Sequence, residues 1–447
     1  MKYKAYSKYK DSGVEWLGEV PEHWEESKLK YLFKFVSGGT PPTEDERYWN
    51  GELPWVSPKD MKSFRIIDTE DHVTRAAVSQ TSTTLVNSNT VLIVTRSGIL
   101  RHSLPVAIAT KEMTINQDIK GLISFKQNID PEYMARFIEG HQAQLLSVWR
   151  KEGTTVESLE TDIIKDFTMV LPPAIEQTTI TDFLDREINK VDTLLVQKRA
   201  LIEKLKEKRT ALISRTVTRG LPPEVARAAG LDPHPELKPS GVEWLGDVPE
   251  HWEIKKGRHL GILLGSVSPS EGNYTDNEKG IPFAKVDDLN HIDSSLLLLN
   301  TKNRVEGFPV TNRKLILFPK RGAAIFTNKV ATAEGKFLFD SNIMGWEIYH
   351  SNETKYVAYC LIARRLDDLA DVSTVPQINN KHIYPALFPK PPINEQCLIV
   401  DYLEDVNNKI DQLITKVETA INRLQEYRTA LITATVTGKI DVRETQA

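Results

Sequence analysis

The sequence is poor in cysteine. Cys360 and Cys397 are the only two among 447 residues, which excludes a disulfide scaffold and an all-cysteine structural zinc site and suits a reducing cytoplasm. Long apolar runs are missing too. No stretch approaches the ~18 residues of a membrane span, and the opening Met1-Lys2-Tyr3-Lys4-Ala5-Tyr6 lacks the apolar core of a secretion signal. A cytoplasmic protein with no membrane partner is expected. Neither charge is in large excess: 57 basic against 61 acidic residues leave −4. That excludes a histone-like binder and leaves local basic patches open. Catalytic motifs are absent as well. There is no G-x-x-x-x-G-K-[ST] phosphate loop, no G-x-G-x-x-G, no helical H-E-x-x-H, and no Asn-Pro-Pro-Tyr or Asp-Pro-Pro-Tyr loop of the kind that holds a flipped adenine. Glu253-Ile254-Lys255 has the E-x-K spacing of nucleases but follows no Pro-Asp, and it reads as a chance match. The polypeptide reads as non-catalytic, with no catalytic residue, metal or cofactor of its own.

What the chain does have is repetition. Residues 12–25 read SGVEWLGEVPEHWE and residues 240–253 read SGVEWLGDVPEHWE; the single change is Glu19 to Asp247, at an offset of 228. A second, longer repeat aligns residues 172–218 with 391–437 at an offset of 219, with 22 identities in 47 positions. It includes Pro172-Pro173 with Pro391-Pro392, Glu176-Gln177 with Glu395-Gln396, and Arg209-Thr210-Ala211-Leu212-Ile213 with Arg428-Thr429-Ala430-Leu431-Ile432. Two copies are too few for a solenoid. They read as a tandem duplication of one module: box, variable region, helix. The expected division is an N-terminal box at 1–25, a first globular domain at 26–171 and a first helix at 172–219. A linker with the second box follows at 220–253, then a second domain at 254–390, a second helix at 391–438 and a tail at 439–447. The linker Gly220–Pro239 carries five prolines and reads as semi-rigid.

The second repeat has heptad spacing. Leu184, Ile188, Val191, Leu195, Ile202, Leu205 and Leu212 occupy a and d positions, as do Leu403, Ile410, Ile414, Val417, Ile421, Leu424 and Leu431 in the other copy. Each helix should begin just after its Pro-Pro pair, where proline is tolerated, and run for ~63 Å at 1.5 Å per residue. Two such helices in one chain predict an intramolecular coiled coil. Lys198, Asn407, Arg209 and Arg428 interrupt the apolar seam, and polar residues there tend to fix register.

The variable regions mix short β-branched runs with turn residues. Thr90–Thr95, Val106–Ala109 and Lys314–Phe318 read as strands, and Pro131–Ile138 and Lys355–Leu369 as helices. Two mixed α+β domains of roughly 140 residues each are expected. They share traces of a common fold. Leu53-Pro54-Trp55 matches Ile281-Pro282-Phe283 at the box offset, and Ile93-Val94-Thr95-Arg96-Ser97-Gly98 resembles Leu317-Phe318-Pro319-Lys320-Arg321-Gly322. Charge is uneven around that second trace. The forty residues between Asp71 and Glu112 hold no acid, nor do the twenty-seven between Glu306 and Glu334. Two acid-free windows at matching places predict phosphate-binding surfaces.

The box, the PPAIEQ and PPINEQ pair, and the helices ending RTALISRTVT and RTALITATVT resemble the specificity (S) subunit of type I restriction–modification systems. Gly39-Thr40-Pro41-Pro42, Tyr48-Trp49 and Leu53-Pro54-Trp55 are similar to a signature of the target-recognition domains of that family; the second domain departs from the Gly-Thr-Pro part. The resemblance implies an α+β chain: two mixed α/β target-recognition domains separated by two long helices that form an antiparallel intramolecular coiled coil. Each domain would read one half of a bipartite double-stranded DNA target. Two methyltransferase (M) subunits would modify adenine with S-adenosylmethionine, and two restriction (R) subunits would cut unmodified DNA with ATP and Mg2+. The chain itself would hold no cofactor.

The residue types that contact phosphates and base edges then single out Arg96, Arg101, His102 and Lys111 in the first domain and Lys320, Arg321, Asn328 and Lys329 in the second, with Lys59 and Lys285 as weaker candidates. Trp16 and Trp244, one in each box, are candidate anchors for a partner that binds twice; the competing reading packs each onto its own domain. The competing function is a coiled-coil adaptor that binds only proteins and shows no salt-dependent affinity for DNA.

Overall fold

A computed structural model describes residues 3–125, 129–151, 156–298, 300–371 and 375–443. The chain divides into two compact units, residues 1–197 with 420–447, and residues 198–419. The division falls inside the long helices rather than at their ends, because each half of each helix packs on the domain beside it.

The first unit is built on a five-stranded sheet. Its order is Phe33–Ser37, Ile119–Ser124, Val91–Val94, Val106–Ala109 and Arg65–Ile66. The first four strands pair antiparallel, and Val106–Ala109 pairs parallel with Arg65–Ile66. Val91, Leu92, Ile93 and Val94 are all fully buried, so this central strand reads as a continuous apolar run instead of alternating. The second unit repeats the first four places of that order with Gly261–Leu264, Ile343–Ile348, Arg313–Pro319 and Ala331–Gly335, all antiparallel. Its central strand likewise buries Leu315, Ile316, Leu317 and Phe318. The two domains therefore share one sheet topology, although almost nothing but the pattern of apolar runs survives in their sequences.

A helix lies against each sheet, Pro131–Gly140 in the first unit and Thr354–Arg364 in the second. Their buried tyrosines reach the same place on the long helices. The Tyr133 hydroxyl donates to the carbonyl of Val436 at 3.0 Å, and the Tyr356 hydroxyl to that of Val217 at 3.4 Å.

The long helices are Ala174–Arg219 and Ile393–Val436, 46 and 44 residues. The heptad seam is visible in their burial. Leu184, Ile188, Val191, Leu195 and Ile202 are buried on the first, and Leu403 and Ile410 on the second, whereas Ile414, Val417, Ile421 and Leu424 are half-buried. Near the end of the first helix the seam moves from Leu212 to Ile213 and Val217. A 3.6-residue helix drifts against a 3.5-residue repeat, and these last turns face a domain instead of a second helix. The halves run antiparallel in both units. In the first, Asp192 meets Arg428 while Trp24, which holds Glu176, lies beside Gly438. In the second, Arg209 meets Asp411 while Gly220 lies beside Glu395. Asn407 departs from the expected register role. It is buried and donates to the Tyr359 hydroxyl at 3.2 Å, so it serves helix–domain packing.

Candidate nucleic-acid interface

Both boxes adopt one conformation for one physical reason. Gly13, Gly18, Gly241 and Gly246 all have φ between 60° and 71°, where a side chain would strain the backbone. They turn the chain back so that Ser12 N–H reaches the Gly18 carbonyl at 3.0 Å and Ser240 N–H the Gly246 carbonyl at 3.1 Å. The short hairpin so formed delivers a His-Trp pair to the first turn of a long helix. Trp24 Nε1 donates to Glu176 Oε1 at 3.0 Å, and His23 Nε2 lies 2.7 Å from Glu176 Oε2. The second copy is the same: Trp252 to Glu395 at 3.1 Å and His251 to Glu395 at 2.9 Å. The first adds the Tyr6 hydroxyl on Glu176 at 2.5 Å. The neighbouring glutamines close the joint. Gln177 and Gln396 donate to the carbonyls of Pro172 and Pro391 and accept from the backbone N–H groups of Asp130 and Glu353. The two repeats seen in the sequence, box and helix start, are therefore two sides of one clamp. Sequence reading found both and missed their joining, because the joining carboxylate is 153 residues from its histidine.

The clamp fixes the domain on its helices, and the domain presents a turn. In the first unit the strand Val91–Val94 passes through Thr95 to Arg96, which bridges Ser158, and then into the 3-10 turn Gly98–Arg101. In the second, Arg313–Pro319 passes through Lys320 to Arg321, which bridges Gln377, and then into the 3-10 turn Ala323–Thr327. Thr95 N–H and Lys320 N–H take matching carbonyls, those of Asp118 and Asn342. Arg96 is thus the counterpart of Arg321. The sequence resemblance set it opposite Lys320; the structure moves the match by one residue. Leu100 and Ile325 are the buried anchors of the two turns.

The first acid-free window is neutralised in space by carboxylates from outside it. Arg96 Nε lies 2.6 Å from Asp118, Arg101 Nε 3.7 Å from Glu157, and Lys111 Nζ 3.4 Å from Asp68. Lys59 pairs with Asp71 at 2.8 Å and Glu70 at 3.1 Å, and hydrogen bonds to Asp71 and then Glu70 push its pKa up to about 12. The carboxyl of Asp68 is held below the usual range by its hydrogen bond to His72 and then by Lys111. His102 is exposed and takes no side-chain partner among the described residues. In the second unit Lys285 lies 4.9 Å from the Tyr274 ring centroid, and Lys329 bonds the amide oxygen of Asn290 and no carboxylate among the described residues. Asn328 is committed to the fold: its amide donates to the Ile362 carbonyl at 2.8 Å and accepts from Leu366 N–H at 2.9 Å. Lys320 and Arg321 enter no ion pair among the described residues. Of the sequence candidates, the structure thus brings Lys320, Arg321 and Lys329 to one turn with free positive charge, and Arg96 and Arg101 to the matching turn with their charge balanced.

Trp16 is half-buried, stacked on Phe167 with centroids 6.2 Å apart and set against His141 at 5.0 Å. Its edge opens on a groove of about 800 Å³ along Gln425, Thr429 and Thr433. Trp244 packs 6.3 Å from Phe388 with the Arg364 guanidinium over its ring at 6.0 Å, at a groove of about 580 Å³. Both tryptophans therefore pack on their own domain and still border open surface. Among the described residues no cluster of histidine, cysteine or carboxylate side chains could hold a metal, and no helix is long and apolar enough to cross a membrane.

The model of one family, the type I restriction modification DNA specificity domain, matches residues 21–204 and again 249–423. The MjaIX type I restriction enzyme specificity subunit of Methanocaldococcus jannaschii is 26% identical over 99% of both chains. The EcoR124I/EcoR124II specificity subunit of Escherichia coli is 35% identical over 43% of this chain and 46% of its own. Among solved structures, the fold is similar to a chain of a type I R-M system studied for its complex assembly and conformational transition, with a TM-score of 0.66 at 16% identity over 94% of this chain and 99% of that one. It is also similar to the HsdS subunit of Thermoanaerobacter tengcongensis, with a TM-score of 0.51 at 14% identity over 94% and 98%.

Proposed function

Because the chain belongs to the family of type I restriction modification DNA specificity proteins, matched over both of its halves, we propose that each unit reads one half of a bipartite duplex target through its strand–turn element. The chain is the specificity subunit of a type I system and is itself non-catalytic. It works with DNA and with modification and restriction subunits. The observation that carries the divided reading is that one sheet order and one turn occur twice, once per unit, with different side chains on the turn. Shared scaffolding suits partners that bind twice, and divergent turns suit two different half-sites.

In this reading Lys320, Arg321 and Lys329 hold the phosphates of one half-site and the Arg96–Arg101 turn meets the other. Asp118 and Glu157 keep Arg96 and Arg101 extended until DNA competes for them. Asn328 positions its turn instead of touching a base. Two methyltransferase subunits dock on the duplicated box-and-helix surfaces, with the edges of Trp16 and Trp244 within the contact, and two restriction subunits join them. S-adenosylmethionine, ATP and Mg2+ belong to those partners. The site of action is the cytoplasm. The helices set the spacing of the half-sites.

The test is to map methylated adenines in cells with and without this gene, and with seven residues inserted in both helices near Lys198 and Val417. One extra heptad preserves the seam and adds ~10.5 Å of helix. A bipartite motif that disappears with the gene, and whose spacer lengthens by roughly three base pairs in the insertion strain, is expected. A motif independent of the gene refutes the specificity role. An unchanged spacer in an active insertion protein refutes only the spacing role.

A further inference from the structure

The turn of the second unit carries a side chain that none of the foregoing uses. Phe326 is 60% exposed at the end of the 3-10 turn Ala323–Thr327. Its exposure is not that of a loose loop. The preceding Ile325 is fully buried, and Asn328, two residues on, stands in the left-handed region at φ 51° with both ends of its amide bonded to the stretch that ends the helix Thr354–Arg364. An aromatic ring is thus held out in water from both sides.

We propose that Phe326 is a wedge that presses against a base-pair step of the half-site read by the second unit, an inference that rests on the specificity-subunit reading above. Three observations support DNA as the occupant. Lys320 and Arg321, at the root of the turn, carry charge that no carboxylate among the described residues offsets, and the Lys329 ammonium is bonded only to an amide oxygen. Asp371, on the strand segment that faces the turn, is already engaged by Lys381 at 3.0 Å and His382 at 3.0 Å. Cations around an exposed apolar ring suit phosphates at the rim of a groove with a wedge at the bases.

Second, Val375 is also exposed beside the turn, where Gly322 N–H takes the Pro376 carbonyl at 2.9 Å. Its counterpart in the first unit, Val156 next to Ser158, is exposed as well. The apolar lip is therefore common to both turns.

Third, the ring is not common to both. The first unit has Arg101 where the second has Phe326, counting from the matched Arg96 and Arg321. A partner protein present in two copies needs the same feature in both units. A feature that differs between units belongs to the ligand that differs between halves, and that ligand is DNA.

The experiment uses this chain assembled with its methyltransferase partner, presented with a randomised duplex library, for the wild type, F326A and F326W. The wild type defines the bipartite motif. F326A is expected to bind the selected duplexes weaker by about tenfold or more, as for loss of one base–aromatic contact. It should also lose base preference at adjacent positions of one half-site only, while F326W stays within about threefold of wild type. 2-Aminopurine scanned through that half-site, outside the methylated adenine, should brighten at one step with wild type and F326W and stay dark with F326A. Equal affinity and an unchanged motif for F326A overturn the wedge. So does weaker capture of the methyltransferase with DNA preference intact, which assigns Phe326 to a protein contact. A wild-type complex that selects no motif overturns the specificity reading first, and the wedge with it.

Discussion

Arg209 on the first long helix bonds Asp411 on the second, and the pair is duplicated. Seventeen residues back along the first helix and seventeen forward along the second, Asp192 meets Arg428 at 3.1 Å. Asp192 and Asp411 are equivalent under the 219-residue offset, as are Arg209 and Arg428. Each helix therefore supplies one cation and one anion, and any slip of the antiparallel register breaks both pairs at once.

The two pairs should not cost the same to remove. Arg209 has one ion-pair partner among the described residues and is partly solvated, so Arg209→Ala should destabilise its unit by about 0.5–1 kcal/mol. Arg428 also holds Glu139 at 2.8 Å, and Glu139 in turn holds the buried Arg136 at 2.7 Å. Arg428→Ala should cost about 1–3 kcal/mol because it leaves Glu139 short of a partner. Urea denaturation of the single and double variants at Arg428 and Glu139 should give a coupling well above zero; additive effects would contradict the network.

The clamp predicts a second inequality. Glu176→Ala strands Trp24 Nε1 and the Tyr6 hydroxyl inside the first unit, a loss of about 2–4 kcal/mol. Glu395→Ala strands only Trp252 Nε1 there, for about 1–3 kcal/mol. Hydrogen exchange should show each loss confined to its own unit. Protection lost equally in both units by either variant would mean that the clamp is not local.

His141 gives a pH dependence. It is buried, and burial pushes its pKa below the ordinary histidine value, against a smaller upward pull from its hydrogen bond to the Phe137 carbonyl. The unfolded chain then takes up the proton first, so stability is complete above the unfolded value of about 6.5. It falls as pH drops from there towards the folded value. His141→Gln should flatten the melting temperature of the first unit across that window. A wild-type profile that rises on acidification would carry the wrong sign.

Charge balance predicts how the two turns respond to salt. Arg321→Ala removes a free cation and should reduce the salt slope of DNA binding by about one while weakening one half-site. Arg96→Ala should weaken the other half-site, by ~1–3 kcal/mol if a base contact is lost. Asp118→Asn, which frees Arg96 from its partner, should raise non-specific affinity. Equal effects of Arg96→Ala and Arg321→Ala on both half-sites would defeat the divided reading.

The duplicated module, the heptad helices and their start after Pro-Pro were legible in the sequence, because periodicity and repetition are properties of the chain alone. The strands at Val91–Val94 and Arg313–Pro319 were legible for the same reason, as buried apolar runs. The turn that follows them was found but misaligned by one residue, since only the Arg96–Ser158 and Arg321–Gln377 bridges set the match. The charge balance of the first turn was not legible at all. A window of sequence without acid says nothing about Asp118 or Glu157, which arrive from other segments. Phe326 carried no signal, because a phenylalanine in an apolar run beside a buried isoleucine is ordinarily core.

The division inside the helices has a consequence for synthesis. The second unit is one unbroken stretch, residues 198–419, set into a first unit whose last part, from Ala420, is made after it. Tyr133 bonds Val436, Tyr9 bonds Gly438, and the Asp441 N–H takes the Lys4 carbonyl. Until those late residues emerge, the apolar surface that Leu431, Ile432, Val436, Ile440 and Val442 will cover stays open. At about 5–20 residues per second that wait is roughly 12–50 s. The unit that the ribosome begins first is thus the one that finishes last, and the newborn chain should depend on chaperone cover for its leading half while its trailing half is already folded.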